Sequence, residues 1–132
     1  MVSVDLNVRE CDGHVVVALR GELDIADAVS VAAALAAVAA RKRATIVDLA
    51  GLEFIDSSGV AALARGRQLA RHAGGDLLLA APRKQVLRVL TLTRLIDAFP
   101  LHASVDEAVA AARCPRRAGA AVTGLPVGVA VT

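Results

Sequence analysis

Aromatic residues are almost missing from this chain: two Phe, no Tyr and no Trp among 132 residues. A core without large rings must be filled by Val, Leu, Ile and Ala, and the hydrophobic fraction is 56%. That mixture suits helices laid on a buried sheet better than an all-β sandwich. The scarcity of rings also removes the stacking platforms that hold single-stranded nucleic acid. Charge of one sign is lacking too. The net charge is +2, and basic residues gather only locally, at Arg41–Lys42–Arg43 and at Arg113, Arg116 and Arg117. No dense basic face emerges, so nucleic acid is not an expected partner. The Arg41–Lys42–Arg43 run reads as a solvated helix end, where cations offset the macrodipole.

Cysteine is limited to Cys11 and Cys114. Neither C-x-x-C nor a metal-type spacing occurs, so no metal or cofactor is expected, and the two thiols read as reduced in a cytosolic protein. There is no leader-like start, because Asp5, Arg9 and Glu10 interrupt the N-terminus before an apolar stretch forms. The Ala-rich run Val31–Ala40 is too short to span a bilayer. The expected location is the cytoplasm, without membrane insertion.

What is present suits one domain of ordinary size. Val2–Val8 alternates apolar and polar residues, Asp12–Gly13 makes a turn, and valine-rich His14–Leu19 follows, so an antiparallel hairpin is expected. Gly21-Glu22-Leu23-Asp24 ends the second strand, and Asp24 or Asp27 can cap a helix over 26–40. Thr45–Leu49 is a short β-branched run, suited to a central strand. A helix at about 58–72 is stopped by Gly74–Gly75, and Asp76–Ala80 is the next strand. Pro82 opens a helix at 83–90. Ala98–Leu101 reads as a short edge strand. Ser104 with Glu107 forms a capping box for a last helix ending near Ala112. The expected division is a folded domain over 1–113 and a flexible or disordered tail over 114–132, where Pro and Gly punctuate small residues without a period.

The stretch Phe54-Ile55-Asp56-Ser57-Ser58-Gly59-Val60 joins a strand to a helix. Free N–H groups and the macrodipole at such a helix start attract anions. Ser57 or Ser58 can cap the helix. A phosphate added there would be tolerated by the local backbone and would present about two negative charges to a docked partner. Taken alone, Asp-Ser-Ser-Gly is also what an ordinary helix cap looks like.

Gly21-Glu22-Leu23-Asp24, an Ala-rich helix, Ile46-Val47-Asp48-Leu49 and Phe54-Ile55-Asp56-Ser57-Ser58-Gly59, in this order and spacing, resemble the STAS domain family, and within it the bacterial anti-sigma factor antagonists. The resemblance covers roughly Val2 to Ala112. It implies an α/β fold: a small mixed sheet with about four helices packed on one face. It also implies a mechanism. An antagonist of this kind binds an anti-sigma factor that is also a serine kinase, thereby releasing the sigma factor. The kinase then phosphorylates the serine directly after the motif aspartate, here Ser57, and a phosphatase reverses the step. By the same resemblance Asp24 lies near that serine and the partner interface, Asp56 shapes the loop, Ser58 is a helix cap, and Gly59 completes the partner-binding stretch.

Three other readings compete, the blandest being a structural interaction module with no switch. Other STAS domains serve as subunits of a stress-signalling scaffold or of a transporter complex. An enzyme is the further possibility, since a serine at a strand-to-helix turn recurs in hydrolases. Here, however, the flanks are not G-x-S-x-G, no P-loop is present, and His14, His72 and His102 all read as boundary residues rather than bases. The expectation is a binding protein, not an enzyme.

Overall fold

In a computed structural model, residues 4–11, 13–39 and 44–112 are described. Five strands form one sheet: β1 (Val4–Cys11), β2 (His14–Leu23), β3 (Ala44–Ile55), β4 (Asp76–Ala80) and β5 (Leu101–His102). They lie in chain order, β1-β2-β3-β4-β5. β1 pairs antiparallel with β2, and every later pairing is parallel. The parallel part needs crossovers. Helices α1 (Ile25–Ala39), α2 (Ser57–His72) and α3 (Lys84–Leu92) provide them, and α4 (Val105–Ala112) follows β5.

The central strands are apolar on both sides, as parallel strands covered on two faces must be. Odd positions Val15, Val17, Leu19, Val47, Leu77 and Leu79 join one core with Val31 and Leu35 of α1, Leu63 of α2 and Val86 of α3. Even positions Val16, Ile46, Leu78 and Ala80 join a second, smaller core with Ala108 and Val109 of α4. The mixed sheet and four helices agree with the expectation. Their arrangement differs in one respect: three helices cover one face, and the short α4 covers the other. The period-2 strand pattern left both faces apolar, and α4 shields the second one from water.

β3 is also longer than expected, since it runs past Leu49 to Ile55. The pairing with β2 shifts register twice, between Ala18 and Arg20 and between Gly21 and Glu22, and Gly21 has φ +98°. Both extra residues lie in β3, one at Leu49–Ala50 and one at Glu53, so Gly21 and Gly51 are paired residues beside bulges in a continuing ladder. The edge strand expected at Ala98–Leu101 is a 3-10 turn, Ile96–Ala98, followed by the two residues of β5. Helix starts agree closely, and Ser104 Oγ accepts from Glu107 N at 3.1 Å as the capping box requires. The Arg41–Lys42–Arg43 run, Cys114 and the tail expected over 114–132 lie outside the described residues.

Candidate functional site

Parallel strands deliver their C-terminal ends to one rim of the sheet, where open α/β sheets usually place their binding sites. Leu23, the last residue of β2, pairs with Ile55, the last of β3. The chain leaves both strands directly into helices, so the N-termini of α1 and α2 start side by side. Leu23 and Ile55 are fully buried beneath them. The carbonyl of Leu23 accepts from Asp56 N at 3.3 Å, which ties one strand-to-helix junction to the other.

Each helix start is capped by an aspartate. Asp24 Oδ1 accepts from Ala26 N at 3.0 Å, and Asp56 Oδ1 accepts from Gly59 N at 3.0 Å. These bonds satisfy amide groups that a helix start otherwise leaves open. The expected serine cap is therefore corrected. Asp56 is the cap, and Ser57 and Ser58 occupy the first two helical positions. Asp56 wins because its side chain reaches N3 from an extended residue (φ −111°, ψ −175°) just outside the helix. That frees Ser57, which is exposed, while Ser58 is half-buried.

Gly59 explains why the loop can lie so close to β2. A Cβ there would fall 2.6 Å from Ile55 Cγ1 and 2.9 Å from both Leu23 Cγ and Leu23 O. Glycine is required by space rather than by an unusual φ. The five residues singled out from the sequence, Asp24, Asp56, Ser57, Ser58 and Gly59, are thus carried by two adjoining junctions at one rim. Gln85 was not foreseen. It reaches from the first turn of α3, and its Oε1 accepts from Ile55 N at 3.2 Å. Arg83 Nε likewise donates to Ala50 O at 2.7 Å. Both brace β3 from 30 or more residues away in sequence, and nothing in their local pattern marks them.

The rim carries apolar side chains in water. Ile25 is 75% exposed and Val29 is 81% exposed, one turn apart on α1 just after Asp24. Isolated exposed apolar residues are ordinary, but paired beside a polar loop they suit a partner surface. The histidines lie elsewhere. His14 pairs with Cys11 at the hairpin end, His72 closes α2, and His102 is on the edge strand β5. Among the described residues none of them shares the loop with Ser57, and no cluster of His, Cys, Asp and Glu could hold a metal ion. No helix of the described residues is long and apolar enough to cross a membrane.

Comparison with known proteins agrees with this geometry. The STAS domain model matches residues 5–108. BtrV of Bordetella bronchiseptica, which carries the description of an anti-sigma factor antagonist, is 31% identical over 107 residues, covering 80% of this chain and 92% of that protein. RsfA of Mycobacterium tuberculosis, an anti-sigma-F factor antagonist, is 28% identical over 115 residues, covering 83% and 88%. A crystal structure of an anti-sigma factor antagonist from Mycobacterium paratuberculosis superposes with a TM-score of 0.75 at 32% identity, covering 83% of this chain and 94% of that one.

Proposed function

The chain belongs to the STAS domain family, and from that premise we propose that it is an anti-sigma factor antagonist switched off by phosphorylation at Ser57. Unmodified, it binds an anti-sigma factor with serine kinase activity and releases the sigma factor. That chemistry belongs to the cytoplasm, and it needs no catalytic group or cofactor in this chain. The relatives named as antagonists support the role.

The observation that carries the switch is the position of Ser57: exposed, first in α2, next to the Asp56 cap, at a junction bonded to the one that carries Asp24. The acceptor hydroxyl is accessible to a kinase. A phosphate there gains from the positive end of α2, so the fold survives the modification. The surface does not survive it unchanged. About two negative charges arrive next to Asp24 and Asp56, in the middle of a contact that includes Ile25 and Val29. Burying that charge against a partner without a new cation is costly. A penalty of about 1.4 kcal/mol already lowers affinity tenfold. A phosphatase restores the binding surface by removing the group.

The test uses the purified serine-kinase-type anti-sigma factors of the native host. One of them should bind the unmodified chain, phosphorylate it with ATP, and leave the phosphate on Ser57 by peptide mapping. Ser57→Asp should bind at least tenfold more weakly. Phosphate on Ser58 alone, or equal affinity for wild type and Ser57→Asp, would overturn the proposal.

A further inference from the structure

Ser57 heads a stripe along α2. Positions 57, 61, 64, 68 and 71 fall on one face of a helix, and here they are Ser57, Ala61, Ala64, Gln68 and Arg71. From Ala61 onward this face forms one wall of an open groove of about 560 Å³. The opposite wall is the segment after α3, contributing Leu95, Ala98 and Phe99. The floor is apolar, and the rim is basic.

The charged side chains that line the groove are all basic, although the exposed Asp97 stands on the facing segment outside the lining. α2 contains Arg65, Arg67 and Arg71 and no Asp or Glu, in a chain whose net charge is only +2. Arg67 is occupied: its Nε donates to Asp76 Oδ1 at 2.9 Å, and its side chain also bonds the Ala98 carbonyl, fixing the 3-10 turn against α2. Arg65 and Arg71 are exposed, and Arg65 touches Gln68 Oε1 only at 3.3 Å. Arginine forks match carboxylates in a way that a lysine does not. The groove is open rather than enclosed, so it suits an extended or helical segment laid along α2 better than a small molecule.

We infer that the groove between α2 and Leu95–Phe99 is a second docking site, and that it takes an acidic, apolar-faced segment of the partner anti-sigma factor. The carboxylates of that segment pair with Arg65 and Arg71, and its apolar side chains cover Ala61, Ala64, Leu95 and Phe99. The inference rests on the proposed function for the identity of the partner. It adds what that partner must carry next to its kinase site. The stripe also explains how the two contacts are joined: Arg71 lies fourteen residues after Ser57, about 21 Å along the same helix face.

A labelled twelve-residue peptide of alternating Glu and Leu, titrated into the full chain and followed by amide NMR, tests the groove without the partner. Shifts at Ala61, Ala64, Leu95 and Phe99 are expected, weakening with salt. They should be lost, or need at least tenfold more peptide, in Arg65→Glu/Arg71→Glu with an unchanged melt. The Gln/Leu counterpart should not bind. An absence of shifts in the groove, or equal binding by the double variant, overturns the inference. So does equal displacement of the peptide by inorganic phosphate or by a twelve-nucleotide RNA, either of which would mark a general anion site. With the kinase itself, loss of affinity in the double variant supports the second site. Equal affinity, with Ser57→Asp still defective, removes the groove and leaves the switch standing; no binding of such a kinase by wild type would remove the proposed function and with it the partner assigned to the groove.

Discussion

The carbonyl of Leu23 and the amide of Asp56 are joined by a hydrogen bond of 3.3 Å between the ends of β2 and β3. Thirty-three residues apart in sequence, they bring the Glu22-Leu23-Asp24 and Asp56-Ser57-Ser58-Gly59 segments to one rim. Everything proposed for the switch depends on that closure, because it puts Asp24 beside the loop that carries Ser57.

Gly59 is where the closure is easiest to break. In Gly59→Ala the new methyl meets Leu23 O and two buried side chains at under 3.0 Å. Backbone and core cannot both yield, so a loss of about 1–3 kcal/mol is expected. Gly51→Ala is the control. Its nearest neighbour, at 2.7 Å, is Cγ of Arg20, an exposed and flexible side chain, and the cost should stay well below that of Gly59→Ala. Urea unfolding of both variants makes the comparison. Equal losses would mean that the Leu23 contact does not govern the site.

Asp56 caps α2, so Asp56→Ala should destabilise by about 0.5–2 kcal/mol. Asp56→Asn keeps an oxygen for Gly59 N and should recover most of this. The neutral amide also separates the cap from the charge. If Asp56→Asn folds like wild type but is phosphorylated more slowly, the carboxylate matters to the kinase as well as to the helix. If both variants melt like wild type, the cap contributes nothing measurable.

Val29 is surrounded by water in the free chain, so Val29→Asp should shift stability by no more than about 0.5 kcal/mol. The same change should weaken binding to the anti-sigma factor by tenfold or more, because it places an unpaired charge on the proposed contact. Surface plasmon resonance beside a thermal melt reads both. Undiminished binding would place the partner away from the start of α1.

Much of this was legible in the sequence, and the misreadings have one physical origin. Alternation and the Asp12–Gly13 turn marked the hairpin, a Leu-rich run after Gly74–Gly75 marked β4, and Ser104 with Glu107 marked α4. Asp24, Asp56, Ser57, Ser58 and Gly59 stood out through the resemblance of their two stretches to the STAS family, since helix-start chemistry alone fits an ordinary cap equally well. The β-branched run stops at Leu49 and so gave too short a β3, whereas the bulged strand continues to Ile55 on its pairing with β2. Ser58 was expected to cap because serine and aspartate are both good caps, and only the backbone angles at Asp56 decide between them. The side of the sheet taken by α4, the brace from Gln85 and the α2 groove are tertiary. They depend on which faces meet, and a local pattern of Ala and Val does not encode that.

His102 makes stability depend on pH. Burial lowers its pKa below the ordinary value of 6.5, and the nearby Glu107 carboxylate partly opposes this. Its Nε2 is buried with no hydrogen-bond partner among the described residues, so the charged form has little to compensate it. The unfolded chain therefore takes up this proton at a higher pH than the folded one. The stabilising effect is complete above pH 6.5 and is lost as pH falls through the lowered folded pKa. Wild type should melt at progressively lower temperature below pH 6.5, and His102→Leu should show a shallower decline over the same range. Glu107→Gln should steepen it, because removing the carboxylate lowers the folded pKa further and widens the window. Parallel curves for wild type and His102→Leu would assign the acid sensitivity to other groups.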